Sequence, residues 1–152
     1  KMKNKSFLKS VRHAGEGFMS ALKTERNLRI DLVIADLVLI FAYAYKLSAA
    51  GYAVLIAVIC AVMCAELFNT AMEYICDEVT EEYSEKIKFA KDISAAAVFV
   101  TAIGAVIAGI ALFLTDTERL LSALLRIAFS PTALAAIAVT LIIGTVFVIK
   151  YK

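Results

Sequence analysis

One proline and no Ser/Gly-rich stretch in 152 residues leave no room for a flexible linker, so a single compact unit is expected. The three cysteines form no framework. Cys60 and Cys64 lie one helical turn apart in an apolar run, and Cys76 follows further along it with no histidine near in sequence. They read as reduced, small apolar residues rather than as metal ligands or a disulfide, and their number does not decide the compartment. The only histidine, His13, falls on a surface segment and reads as an incidental interfacial residue. No glycine-rich phosphate loop of the Walker type is present, so any nucleotide site must be built by other means. No signal-peptide pattern precedes the first apolar run, so the N-terminal segment is expected to stay in the cytoplasm.

What the chain has in excess is apolar length. Hydrophobic residues make up 62 % of it and the mean hydropathy is +0.83, which is too apolar for a water-soluble domain. Four runs, 30–47, 53–76, 93–114 and 132–149, approach the roughly 20 residues that a helix needs to cross a bilayer core. Ahead of them Phe7, Val11, Ala14, Phe18, Ala21 and Leu22 recur at helical spacing, with Lys5, Lys9, Arg12 and Lys23 between them. That pattern predicts an amphipathic helix lying in the membrane interface. A shorter amphipathic stretch follows the third run, begun by Asp116 or Thr117 as cap and ended by Pro131. The expected fold is an all-α integral membrane protein in three stretches: 1–29 interfacial, 30–114 a three-span core, and 115–152 an outer amphipathic loop with a fourth span.

Charge placement gives the orientation. Of the sixteen Lys and Arg residues, thirteen fall on one side of this plan and only Lys46, Arg119 and Arg126 on the other. The positive-inside bias puts both termini and the loop from Glu78 to Lys91 in the cytoplasm of a multi-pass plasma-membrane protein. The formal net charge of +2 is small and implies no nucleic-acid partner.

Against that apolar background, AELFNTAMEYICD stands out. At 100° per residue, Glu66, Asn69, Glu73 and Asp77 fall within an arc of about 80° and rise about 16 Å along one helix. The stripe has an apolar end at Glu66 and a wet end at Asp77. A carboxylate at the hydrocarbon edge costs a few kcal/mol unless it faces a polar cleft or a partner. Two structural readings compete with a chemical one: Glu66 as a buried acid that holds helices together, and Glu73 to Glu85 as a solvated face. Asp31, and the pair Arg29 and Asp36 seven residues apart on one face, fit helix packing at least as well as function.

Carboxylates at a water boundary suit Mg²⁺, which is commonly held by one or two of them together with nucleotide phosphates. Lys86, Lys88 and Lys91, with Lys9 and Arg12, are placed to neutralise a polyphosphate. A carboxylate at the apolar end is placed to take a proton from the hydroxyl of a lipid. Phosphoryl transfer from a soluble nucleotide to a membrane alcohol satisfies both ends. An ion or proton pathway is the alternative from another class, although its polar residues should then continue through several spans to the far side.

The same residues resemble the small prokaryotic membrane lipid kinases, the family of diacylglycerol kinase and undecaprenol kinase. The resemblance rests on Glu66, Asn69, Thr70, Ala71, Glu73 and Asp77, then Glu82 and Tyr83, then Ala90, Lys91 and Asp92. ALKTERNLRI upstream is similar to the family segment before the first span, and the likeness covers about residues 5–114. It implies Glu66 as catalytic base or hydroxyl-positioning group, with Asn69 beside the reacting centre. Glu25 and Glu73 would bridge Mg²⁺; Asp77, Glu82, Lys91 and Asp92 would serve ATP, with Lys9 or Arg12 over the phosphates. It also implies a homotrimer of three-span protomers with shared active sites. Ser84 stands where the family carries a loop histidine, and Glu16 where an aromatic is frequent. The short ALKTERNLRI connection is closer to the undecaprenol kinases of Gram-positive type, so undecaprenol is the expected acceptor and diacylglycerol the second choice.

Overall fold

The computed structural model describes residues 3–79 and 84–150, with side chains from Phe7 onward. It is built of helices α1 (Lys3–Thr24), α2 (Arg26–Tyr45), α3 (Ala49–Val79), α4 (Glu85–Phe113), α5 (Thr117–Ala128) and α6 (Pro131–Lys150). α4 packs on α3, α3 also on α2, and α2 on α6, so the long helices form a row; α1 lies against α2 and α3, and α5 against α2 and α6.

Three helices, α3, α4 and α6, are long and apolar enough to cross a membrane. α4 and α6 leave almost all of that apolar length uncovered by the rest of the chain: only 6 % of each span is buried. Ile107, Ile110, Ile142 and Val146 are among the exposed side chains. Water would not tolerate so continuous an apolar surface, whereas lipid chains would. The molecule is therefore an all-helical membrane protein. α2 has 20 residues, as many as α6, but carries Arg26, Arg29, Asp31 and Asp36.

Two of those α2 charges, Arg29 and Asp36, bond to neighbouring helices. Arg29 is 1 % exposed; its Nη1 donates to Leu22 O at 2.9 Å and Lys23 O at 3.1 Å, and its Nη2 to Val148 O at 3.4 Å. One guanidinium thus gathers carbonyls at the C-terminal ends of α1 and α6, where helix dipoles favour a cation. Thr140 Oγ1 donates to Asp36 Oδ2 at 2.6 Å, a second tie between α2 and α6. Of the two roles the sequence leaves open for this pair, the contacts are those of helix packing. Between these ties Gly144 is buried against Val33, where an added Cβ would come within 2.7 Å of Val33 Cγ2. Close approach at a small residue is how membrane helices gain contact. Gly144→Val is accordingly expected to lower the midpoint of thermal unfolding in detergent, by an overpacking cost of about 1–3 kcal/mol. Gly104→Val, where nothing lies within 4 Å, should leave the midpoint nearly unchanged.

At the other end Phe113 meets Phe41 and Tyr45 edge to face, with ring centroids 5.1 and 5.2 Å apart, and Phe41 and Tyr45 lie tilted to each other at 6.1 Å. α2 stops at Lys46, whose φ of 55° is the left-handed conformation. The Lys46 N–H donates to Tyr43 O and the Leu47 N–H to Ala42 O, both at 3.1 Å, which satisfies the last carbonyls and turns the chain into α3. Asp116, rather than Thr117, caps α5 by accepting from the Arg119 N–H at 2.9 Å. Pro131 opens α6, as its fixed φ and missing N–H allow.

Three boundaries differ from the sequence expectation. The first apolar helix starts at Arg26, because the chain bends at Glu25, whose backbone is extended. α3 begins at Ala49 rather than at 53, since Ser48 Oγ accepts from the Gly51 N–H at 3.1 Å and so caps that end. α4 begins at Glu85, so Lys86, Lys88 and Lys91 stand on a helix and not in a loop.

Candidate functional site

Exposure rises along α3 as the stripe predicts. Glu66 and Thr70 are 6 % exposed, Asn69 and Glu73 are half-buried, and Asp77 is exposed. Asn69 Nδ2 donates to Glu73 Oε1 at 2.9 Å, one helical turn away. Across the interface, Ser94 Oγ of α4 donates to Asn69 Oδ1 at 2.7 Å and lies 2.9 Å from Lys91 O. The amide is thereby oriented at both ends, donor toward Glu73 and acceptor toward Ser94. Further out Lys91 Nζ donates to Asp77 Oδ1 at 2.5 Å, the only α3–α4 ion pair among the described residues. The two helices thus carry one connected line of polar groups.

Carboxylates collect at its inner end. Asp31 of α2, Glu25 at the α1–α2 bend and Glu73 all act on Glu66 through their charges. Like charges brought together in a half-dry place repel, and the arrangement calls for a cation or a proton among them. Among the described residues no group of three or more His, Cys, Asp and Glu side chains is arranged to hold a metal ion. A hard-oxygen donor set of this kind suits Mg²⁺ that arrives with phosphate oxygens.

Next to Glu66 the site opens on an apolar groove of about 400 Å³ between α2, α3 and α4. Val62 and Met63, one turn before Glu66, lie on its wall, and Phe113 lies toward the far end. Among the described residues Asp31 is its one charged lining residue, so the groove suits a hydrocarbon chain.

The structure joins Asn69, Glu73, Asp77 and Lys91 through hydrogen bonds that also use Ser94, with Glu66 on the same face of α3 and Glu25 acting on it through its charge. It does not bring Lys9, Arg12 or Asp92 into that network. Lys9 and Arg12 are exposed on α1, where Arg12 Nε donates to Glu16 Oε1 at 2.7 Å, and Asp92 is exposed on α4. The helical geometry explains both departures: α1 turns its basic face away from the bundle, and Asp92 lies about 100° round α4 from Lys91. Glu82 lies outside the described residues. Ser94 escaped the sequence reading, although its place three residues after Lys91 puts it on the same face.

Residues 12–113 match the family model described as prokaryotic diacylglycerol kinase. The chain is 36 % identical over 108 residues to an undecaprenol kinase of Bacillus subtilis, which covers 71 % of this chain and 88 % of that protein. It is 42 % identical over 105 residues to a diacylglycerol kinase of Synechocystis, covering 68 % of this chain and 60 % of the other. A diacylglycerol kinase of Pseudomonas aeruginosa is 35 % identical over 97 residues, 63 % of this chain and 78 % of that protein. The matched segment ends where α4 ends, so α5 and α6 lie beyond it.

Proposed function

The chain belongs to the prokaryotic diacylglycerol kinase family and is a membrane lipid kinase, and from that premise we propose that it transfers the γ-phosphoryl group of ATP to the hydroxyl of undecaprenol, giving undecaprenyl phosphate. The observation that carries this reading is the place of the buried carboxylate Glu66 on α3, one turn beyond Val62 and Met63 in the wall of an apolar groove and one turn before the Asn69–Glu73–Ser94–Lys91–Asp77 line.

In this reading the isoprenoid chain lies in the groove and its hydroxyl meets Glu66. The hydroxyl oxygen forms a bond to the γ-phosphorus as the bond from that phosphorus to the β–γ bridging oxygen breaks. Glu66 takes the hydroxyl proton, and ADP departs with the bonding electron pair. Lys91 balances phosphate charge at the wet end, where Asp77 keeps its ammonium on the α3–α4 seam. Asn69, held at both ends, presents a fixed dipole beside the reacting oxygen. Glu73 and Glu25 would hold Mg²⁺, which supplies neutralisation of the developing phosphate charge when bound. Asp92 and Glu82 belong to the nucleoside side of this site, with Lys9 or Arg12 closing over the phosphates.

The site faces the cytoplasm, α2 is the fourth crossing helix, and the protomers assemble as a homotrimer with shared sites. Supporting the fourth crossing, α2 is lined by packed neighbours that satisfy Arg29 and Asp36. The exposed apolar surface of α4 supports assembly, being available to other copies as well as to lipid.

Diacylglycerol is the second reading of the acceptor, favoured by the 42 % identity to the Synechocystis diacylglycerol kinase. Undecaprenol is preferred for the short ALKTERNLRI connection and for the 88 % coverage of the Bacillus subtilis undecaprenol kinase. Purified protein given ATP and each lipid at matched surface concentration should phosphorylate undecaprenol faster by ten-fold or more. A preference of that size for diacylglycerol would reverse the assignment.

A further inference from the structure

Outside the kinase site, a second pocket of about 730 Å³ lies at the opposite end of the molecule, between the α2–α3 turn and the α5–α6 turn. Part of its wall comes from Arg126, Phe129, Ser130 and Ala133, which lie beyond the segment matched to the family. Its two charged lining residues, Lys46 and Arg126, are both cations, and no Asp or Glu lines it among the described residues.

Both cations are held in place. Arg126 Nη1 donates to Ala44 O at 2.7 Å, a bond that uses one of the five N–H groups of its guanidinium. Lys46 sits on the two backbone bonds that end α2, which fix where its side chain starts. The charge count by side leaves three cations at this end of the molecule, and two of them line one pocket. The third, Arg119, lies over the Tyr45 ring, 5.3 Å from its centroid.

Apart from Ser130, the rest of the lining is apolar or aromatic. Tyr43 and Phe129 are 81 % and 82 % exposed, Tyr43 in the last turn of α2 and Phe129 just before the start of α6. Aromatics so placed sit at headgroup depth. A ligand that fits must be anionic at the pocket mouth and apolar below it.

We propose that this pocket binds an anionic phospholipid of the leaflet opposite the kinase site, its phosphate between Lys46 and Arg126 and its acyl chains along the apolar wall. The charge complementarity selects this occupant: a zwitterionic lipid offers the same chains but cancels its phosphate with its own ammonium. Each cation near an anionic lipid surface contributes about a five-fold gain in affinity.

The test uses the full chain in neutral detergent, with phosphatidylglycerol, phosphatidylcholine and inorganic phosphate as probes and bound lipid counted by native mass spectrometry. Phosphatidylglycerol should bind in preference to phosphatidylcholine. Lys46→Gln and Arg126→Gln should each reduce that preference about five-fold, and Arg126→Lys should retain most of it. The Lys46 side chain makes no hydrogen bond or ion pair among the described residues, so the lipid kinase turnover of Lys46→Gln should match the parent and report an intact fold. Equal binding of the two lipids would overturn the proposal, as would unchanged selectivity in Lys46→Gln. Displacement of phosphatidylglycerol by inorganic phosphate at low millimolar concentration would also overturn it, by making the pocket a site for the free anion.

Discussion

Glu66→Gln is expected to lower turnover by about 10²- to 10⁴-fold, the usual worth of a positioned general base, while nucleotide affinity stays within about two-fold. The carboxamide has nearly the shape of the carboxylate, so the packing around it should survive. It cannot take the proton of the lipid hydroxyl, so the chemical step loses its base. A structural role predicts a different pattern. Glu66 is buried and the charges of Asp31, Glu25 and Glu73 act on it, and removing a charge from such a place relieves both desolvation and repulsion. The variant should therefore be at least as stable as the parent. Loss of turnover in a protein of unchanged or raised thermal midpoint, with ATP still bound, separates the chemical role from the packing role. Near-normal turnover would remove Glu66 from the mechanism.

The second large effect belongs to Glu73. Glu73→Gln should raise the Mg²⁺ concentration for half-maximal rate by about ten- to a hundred-fold, with a smaller change at saturating metal. The Asn69 bond discriminates this from a geometric lesion. Asn69 Nδ2 donates to Glu73 Oε1, and a glutamine keeps an oxygen there, so the amide orientation can persist. What is lost is a negative charge facing a hard cation. A Mg²⁺ titration at fixed ATP reads it directly. An unchanged metal requirement with a depressed maximal rate would assign Glu73 to positioning Asn69 instead.

Much of this site was legible in one dimension because it lies on one helix. A 3.6-residue period suffices to put Glu66, Asn69, Glu73 and Asp77 on a common face, and their graded exposure followed from the length of the apolar run before Glu66. Contacts between helices were less accessible. Ser94 joins Asn69 across α3 and α4, and Arg29 reaches Val148 over 119 residues of chain; spacing within a helix says nothing of either. Helix ends were the other loss. The start of α4 at Glu85 places three lysines on a helix, whereas hydropathy alone starts the span where the charges stop. The surface cations Lys9 and Arg12 are a further case: their residue type and their side of the membrane suit a phosphate, and within this chain Arg12 pairs with Glu16 of its own helix.

α5 and α6 give a further lesson. The fourth apolar run reads from sequence as packing, and the structure supplies the means: Thr140 to Asp36, Gly144 to Val33 and Val148 to Arg29. These contacts fasten the added segment to the outer face of α2. The groove between α2, α3 and α4 stays open on the other face, so the addition does not obstruct the acceptor's approach.

The central claim is that Glu66 presents a lipid alcohol, undecaprenol, to the γ-phosphate of ATP. It is tested most directly by one incubation: purified protein in vesicles containing undecaprenol and diacylglycerol together, with Mg²⁺ and ATP labelled at the γ-phosphate, followed by separation of the lipids. The account predicts label in undecaprenyl phosphate, lost in Glu66→Gln. Label confined to phosphatidic acid, or absent from lipid altogether, would contradict it.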